Sequence, residues 1–286
     1  MPFTSHDIAV IIPTRNESSN ISRLLKSLLA DHVMRQQILV VDAHSQDGTS
    51  AIVENLGIRC VSYMPNLAAQ RNYGAHLTTQ PILLFLDADM EVQPGLLQEI
   101  VDLFNTGAAA IIIPEISIPK DWLGAGRAFE RSLFEGDTSI EAARVFSRAL
   151  FERLGGYDEA LSGCEDWEFS RRAATVTRLN RTVTAVLHHE GNLSVTRVVR
   201  KYVAYGRGYY KLWRTNHTWF FEHANPLRPS IIRAFKSHRT ATLTELAAIA
   251  VFKMITYVAG AIGFALGACN ASVSYTHLTL PPNREV

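Results

Sequence analysis

The sequence predicts an α/β fold: a mostly parallel, twisted sheet flanked by helices in a Rossmann-like arrangement, followed by a helical, partly apolar C-terminal extension. Three observations predict it. Short apolar runs alternate with helix-period segments through the first half of the chain, the pattern of repeated βα units whose strands come out parallel. The runs are apolar at consecutive positions, as in strands buried on both faces. Polar side chains then gather just beyond those runs, where open α/β sheets hold their ligands.

Ala9 to Ile12 reads as the first strand. Ser18 to Ala30 then places Ile21, Leu24, Leu25, Leu28 and Leu29 on one helical face, with Ser18 or Ser19 available as its cap. Ile38 to Val41 is the second strand, and Asp47-Gly48-Thr49 opens a helix. A short strand near Arg59 to Tyr63 precedes a helix over Leu67 to Leu77. Ile82 to Leu86 is the fourth strand. Pro94 sits in the first turn of a helix whose apolar stripe is Leu96, Leu97, Ile100, Val101 and Phe104. Ala109 to Ile113 is a further strand. Beyond Pro114 the pattern loosens to a strand at Ala143 to Phe146, a short helix at Ser147 to Leu154 stopped by Gly155-Gly156, a helix opened by Glu165-Asp166-Trp167, and a strand at Thr182 to Leu187.

At 286 residues, with 47% apolar and 19% charged residues, the composition is neither disordered nor that of a nucleic-acid coat. A net charge of +1 gives no global field to attract polyanions, so no nucleic-acid partner is expected. Cys60, Cys164 and Cys269 are scattered, without the spacing of a zinc site or a disulfide framework, which fits a reducing compartment. The run Ile8 to Ile12, ended by Pro13, is too short for a signal peptide and reads as a strand.

The chemistry is carried by Asp87-Ala88-Asp89, directly after the fourth strand. Two carboxylates there offer hard oxygen donors to Mg²⁺ or Mn²⁺, and such a metal can in turn hold a diphosphate. Other polar groups fall on the same rim: Pro13-Thr14-Arg15-Asn16-Glu17 after the first strand, Asp42 to Thr49 after the second, and Gln70-Arg71-Asn72 on a nearby helix. Each has a bland alternative, a cap, a turn or a solvated helix residue, and it is their joint placement that points to a site.

Val10 to Glu17, Val40-Val41-Asp42 with Asp47-Gly48-Thr49, the Asp87 and Asp89 pair, and Gly163-Cys164-Glu165-Asp166-Trp167 together resemble the family 2 glycosyltransferases of the GT-A fold, over about residues 7 to 195. The resemblance implies an inverting transferase using a nucleoside-diphosphate sugar and a divalent cation, Mn²⁺ or Mg²⁺. It places Pro13, Arg15 and Glu17 in the nucleotide pocket, has Asp42 accept a hydrogen bond from the base, and sets Asp87 toward the ribose or sugar. Asp47 and Arg71 join the donor-binding set, Asp89 becomes the metal ligand and Asp166 the catalytic base. In His188-His189-Glu190-Gly191 a histidine is expected to reach the metal or diphosphate, and His189 is preferred to His188. His44 and Cys164 stand where the family usually has small residues. A sugar-phosphate nucleotidyltransferase is the rival enzyme class, but such enzymes carry a glycine-rich loop after the first strand and Pro13 to Glu17 contains no glycine. A catalytically inactive nucleotide-sugar binding module is the other alternative, disfavoured by intact Asp89 and Asp166.

The expected organisation is a catalytic domain over residues 1–192, a basic and aromatic helical extension over 193–242, and an apolar membrane-associated segment over 243–270. Leu246 to Cys269 is long enough to cross a bilayer, lie in its interface or pack as a hairpin arm. The stretch from Arg197 to Lys211, with four tyrosines, suits an anionic headgroup layer, and equally an acceptor-binding surface or a helix packed on the catalytic domain. Together they favour the cytoplasmic face of the cell membrane and a lipid-linked or envelope-polysaccharide acceptor. Residues 273–286 resemble translated sequencing-adapter read-through and are expected to add nothing to fold or activity.

Overall fold

A computed structural model describes residues 2–137, 140–161, 163–215, 217, 221 and 242–277. The strands are β1 (Ile8–Thr14), β2 (Ile38–Asp42), β3 (Arg59–Ser62), β4 (Ile82–Phe85), β5 (Met90–Val92), β6 (Ala110–Ile112), β7 (Glu115–Ile118), β8 (Ala143–Ser147), β9 (Leu179–Arg181) and β10 (Val186–His189). The helices are α1 (Ile21–Ala30), α2 (Thr49–Asn55), α3 (Leu67–His76), α4 (Leu96–Asn105), α5 (Trp122–Ser132), α6 (Arg148–Arg153), α7 (Glu165–Ala174), α8 (Val195–Thr215) and α9 (Leu243–His277).

Seven strands form one sheet in the order β3-β2-β1-β4-β8-β6-β9, parallel except where β8 runs antiparallel to β4 and β6. The register sets Thr14 opposite Asp42, so the polar residues beyond both strands leave the sheet side by side. Consecutive apolar residues in β1 feed opposite cores, Val10 and Ile12 toward α1 and α4, Ala9 and Ile11 toward α3, α6 and α7. That two-sided burial is why the runs show no polar alternation. From α1 the core takes Ile21, Leu24, Leu25 and Leu28, each fully buried and contributing about 1.5–3 kcal/mol. Asn20, not Ser18 or Ser19, precedes α1, and no side chain caps it. Asp31, just past the end of α1, instead caps α4, accepting from Gly95 N at 2.6 Å and Leu97 N at 3.0 Å.

A second sheet, β5-β10-β7, crosses beside the first and was only partly legible. The expected strand over Thr182 to Leu187 begins at Val186, with β9 as a separate strand before it. β5 and β7 are three and four residues long, too short for a period to show. α5 carries Gly124 and Gly126, which lower helix propensity. It forms because it packs on α9, where a Cβ at Gly126 would lie 2.5 Å from Ala248 O. Backbone of the adapter-like stretch continues α9 through His277, whereas 278–286, most of 216–241 and Ser162 lie outside the described residues.

Candidate active site at the carboxyl edge of the sheet

The loops after β1 and β2 are tied together by polar groups from both. Asn16 N donates to Ser45 Oγ at 2.7 Å, and Gln46 N donates to Asn16 Oδ1 at 2.8 Å. Ser18 N donates to Asp47 Oδ2 at 2.9 Å, and Glu17 N to Thr49 Oγ1 at 2.9 Å. Asn16 and His44 adopt the left-handed backbone, φ 55° and 53°, to make these turns. Buried Gln70 reaches up from α3 and donates to Thr14 O and Val41 O, satisfying carbonyls where the two strands end. Asp42 is buried and accepts from Ser45 N and Ser45 Oγ, at 2.8 and 2.5 Å. Pro13 is buried in β1, whereas Arg15 stands exposed above it. Burial raises the Glu17 carboxyl, whose Oε2 accepts from Asn20 Nδ2 at 2.7 Å. Asp47 spends its acceptors within the loops: two bonds from Thr49 and one from Ser18 hold its carboxyl well below the usual range. Asp47 thus staples the two loops of the cradle together.

Asp87 and Asp89 leave β4 into different surroundings. Arg71 Nη2 lies 2.8 Å from Asp87 Oδ1, and Arg144 Nη2 lies 3.1 Å from Asp87 Oδ2. Burial would raise the Asp87 carboxyl, but these two guanidinium groups outweigh it and keep the group ionised. Arg71 is buried, and its Nη1 meets Glu165 Oε1 at 3.1 Å. It is not the solvated helix residue of the bland reading; it clamps two carboxylates. Arg144 also binds Glu115, at 2.5 Å from Nη2 and 2.8 Å from Nε.

Asp89 Oδ2 lies 3.2 Å from His188 Nε2, and His188 Nδ1 lies 3.0 Å from Glu115 Oε2. Burial disfavours the imidazolium, yet the bonds to Asp89 and Glu115 push His188 up to about 9. His189, the residue preferred from sequence, turns its ring away and pairs with Glu91 at 2.8 Å, while its backbone N donates to Asp89 O. Adjacent strand residues face opposite sides, so only one of the two histidines can meet Asp89. Beyond His188, Arg131 binds Glu115 at 2.7 Å, and Arg127 binds Glu190 at 2.6 Å. Burial opposes ionisation of Glu190, but Arg127 draws it down to about 2.

Asp166 stands at the start of α7, with Oδ1 accepting from Trp167 N at 2.8 Å. Its neighbour Glu165 turns into the protein and accepts from Gly163 N at 2.7 Å as well as pairing with Arg71. Burial and the adjacent Glu165 push Asp166 up to about 6 against the pull of Arg71 and Arg144. Gly163 takes φ +83°, and a Cβ there would come within 1.9 Å of Tyr205 Cδ1 on α8. The aromatic helix thus seats directly on the loop that carries Asp166.

The carboxyl ends of β1, β2 and β4 and the loops after them thus carry Pro13 to Glu17, Asp42, Asp47, Asp87 and Asp89, with buried Arg71 tying Asp87 to Glu165, the neighbour of Asp166. Sequence reasoning missed Arg144, Glu115 and Arg131, ranked His188 second, and saw Tyr205 only as one of an aromatic stretch. Arg144 had left one trace, a cation inside an otherwise apolar strand. For a divalent cation the open donor is Asp89, whose carboxylate is partly exposed; His188 beside it carries a proton shared with Asp89 and Glu115, and would ligate only on losing it. Among the described residues no three His, Cys, Asp or Glu side chains form a ready cage. An ion of the Mg²⁺ or Mn²⁺ type is characteristically held by one or two carboxylates together with substrate phosphates.

Residues 9–142 match the family described as Glycosyl transferase family 2. The chain is 27% identical over 225 residues to the pre-mycofactocin glycosyltransferase of Mycobacterium tuberculosis, covering 70% of this chain and 46% of that protein. It is 25% identical over 163 residues to the GalNAc(5)-diNAcBac-PP-undecaprenol beta-1,3-glucosyltransferase of Campylobacter jejuni, covering 51% and 53%. The chain thus spans about half the length of these curated relatives. Among solved structures, the mannosyltransferase PcManGT of Pyrobaculum calidifontis, in complex with GDP-Man and Mn²⁺, superposes with a TM-score of 0.59 at 20% identity, covering 91% of this chain and 87% of that one. The fold is of the GT-A type.

Proposed function

We propose that this chain is an inverting family 2 glycosyltransferase that moves a sugar from a nucleoside-diphosphate donor to a lipid-linked or polysaccharide acceptor, at the cytoplasmic face of a membrane. The observation that carries the reading is a pair of carboxylates in opposed environments on one edge. Asp87 is held ionised between Arg71 and Arg144, fit to orient the donor, while Asp166 at the start of α7, pushed up to about 6, is free to take a proton. The names of the Campylobacter relative, with its undecaprenol-linked substrate, and of the mannosyltransferase with GDP-Man and Mn²⁺ support it further.

In this reading Pro13, Arg15, Glu17 and Asp42 receive the nucleotide, and Asp87, fixed by Arg71 and Arg144, orients the ribose or sugar. Asp89 would hold Mn²⁺ or Mg²⁺, and His188, protonated beside it, would join only by giving up its proton. When bound, the cation neutralises diphosphate charge and so improves the leaving group. Asp166 takes the proton of the acceptor hydroxyl as its oxygen bonds to the anomeric carbon. The bond from that carbon to the donor phosphate breaks, and its electron pair leaves with the nucleoside diphosphate. Attack from the face opposite the leaving group inverts the configuration.

Titrating UDP and GDP by calorimetry with and without Mn²⁺ tests the donor half. Asp89→Ala should bind nucleotide with the same Kd in either buffer, whereas the parent should bind more tightly with metal. Unchanged metal dependence in the variant would remove Asp89 from the ligand role. The pH dependence tests the other half. Since Asp166 works only when ionised, kcat/KM should fall tenfold per pH unit below about 6 and level off above it. A profile flat from pH 5 to 8 would overturn that assignment.

A further inference from the structure

We infer that α9 lies flat in the interface of an anionic bilayer, and does not cross it, with α8 as its charged companion; this rests on the membrane reading above. The 27 residues from Leu243 to Cys269 are long and apolar enough to span, and only 28% of an 18-residue apolar window within them is buried. One side of the helix is nonetheless committed to the protein. Ala248, Phe252, Thr256 and Ala259 are buried, and Lys253 pairs with Glu130 of α5.

Along α8 the approach is closer still. A Cβ on Gly206 would lie 2.2 Å from Gly260 O, and one on Gly263 would lie 2.1 Å from Val203 O. Tyr210 continues the seam, its ring 5.3 Å from that of Phe264. The two helices therefore run side by side in the same direction, touching backbone to backbone. A spanning helix needs hydrocarbon or apolar protein around it through the whole core. Here its neighbour exposes Arg200, Arg207, Lys211 and Arg214, at a spacing that places them on one face. Crossing would either drag those cations into hydrocarbon or tear apart the glycine seam.

The opposite side of α9 is exposed, save where Lys253 lies over the Tyr257 ring. Met254, Val258, Ile262 and Leu266 recur every fourth residue, with Tyr257 among them, and all are between 39% and 62% exposed. An apolar stripe beside a cationic one matches acyl chains beneath anionic headgroups. A second copy of the chain is a poorer occupant, because it would set one basic stripe against another.

The test uses the full chain with Cys60→Ser and Cys269→Ser, leaving buried Cys164. Cysteine is introduced in turn as Met254→Cys, Val258→Cys, Ile262→Cys and Leu266→Cys, and labelled with an environment-sensitive fluorophore. Vesicles of phosphatidylcholine, with or without phosphatidylglycerol, carry bromine at shallow or deep acyl positions. The four labels span roughly 18 Å along the helix, at 1.5 Å per residue. The inference expects partition favoured by phosphatidylglycerol and weakened by salt, with all four labels quenched alike by the shallow bromine. Depth changing steadily from 254 to 266 would overturn the flat orientation and leave membrane binding intact. Failure to bind either vesicle would remove the membrane reading itself. Val258→Glu with Ile262→Glu, both exposed, should retain the parental melting temperature and lose flotation by at least tenfold; retained flotation would place the contact elsewhere.

Discussion

Asp166→Asn is expected to transfer sugar on the order of a hundred- to ten-thousandfold more slowly than the parent, the range typical for removal of a general base. The amide keeps the shape of the side chain and its acceptance of the bond from Trp167 N, but cannot take the proton of the acceptor hydroxyl. Donor affinity should hardly move, since Asp42, Asp87 and Asp89 are untouched. The loss should therefore appear in kcat, and the limb of the pH profile below about 6 should vanish with it. Single-turnover rates at saturating donor, beside a nucleotide titration, measure both. A variant working near the parental rate would exclude Asp166, and Glu165 is no ready substitute, because it is consumed by Arg71 and Gly163 N.

The second large effect belongs to a residue that touches no substrate. Arg71→Met removes the guanidinium between Asp87 and Glu165 and leaves the latter, whose side chain is 3% exposed, as an uncompensated buried carboxylate. Breaking one side of such a pair typically costs about 3–5 kcal/mol. In a chain of this size the melting temperature should drop on the order of ten degrees. Nucleotide affinity should weaken in parallel, as Asp87 loses one of its two anchors. A variant that melts with the parent and only binds donor poorly would return Arg71 to the pocket wall.

How far the site could be read from the sequence depends on what fixed each residue. Asp42, Asp87 and Asp89 come directly after uninterrupted apolar runs, and a strand buried on both faces must deliver the next polar residues to the rim. Their position was legible for that reason. The partners that define their chemistry come from far along the chain: Arg144 reaches Asp87 through the pairing of β8 with β4, and Glu115 in turn holds Arg144, which no local pattern announces. The histidines show the limit most sharply. A one-residue difference in register exchanges the faces of His188 and His189, and the sequence carries both possibilities. Helix α5 escaped the sequence for a different reason, since its two glycines weaken the local signal and Gly126 is the point at which α9 lies against it.

The contact between Gly163 and Tyr205 bears on how such a protein can be recombined. The C-terminal helices look like a cassette, to be exchanged between relatives so as to redirect the enzyme to another acceptor. Yet Tyr205 occupies the space where any side chain at position 163 would stand, and Leu161, Cys164 and Leu212 share one small core. A chimera joined at residue 192 would bring in a foreign helix against a loop shaped for this one. The portable unit runs instead from about residue 161, with the base and its aromatic seat inherited together.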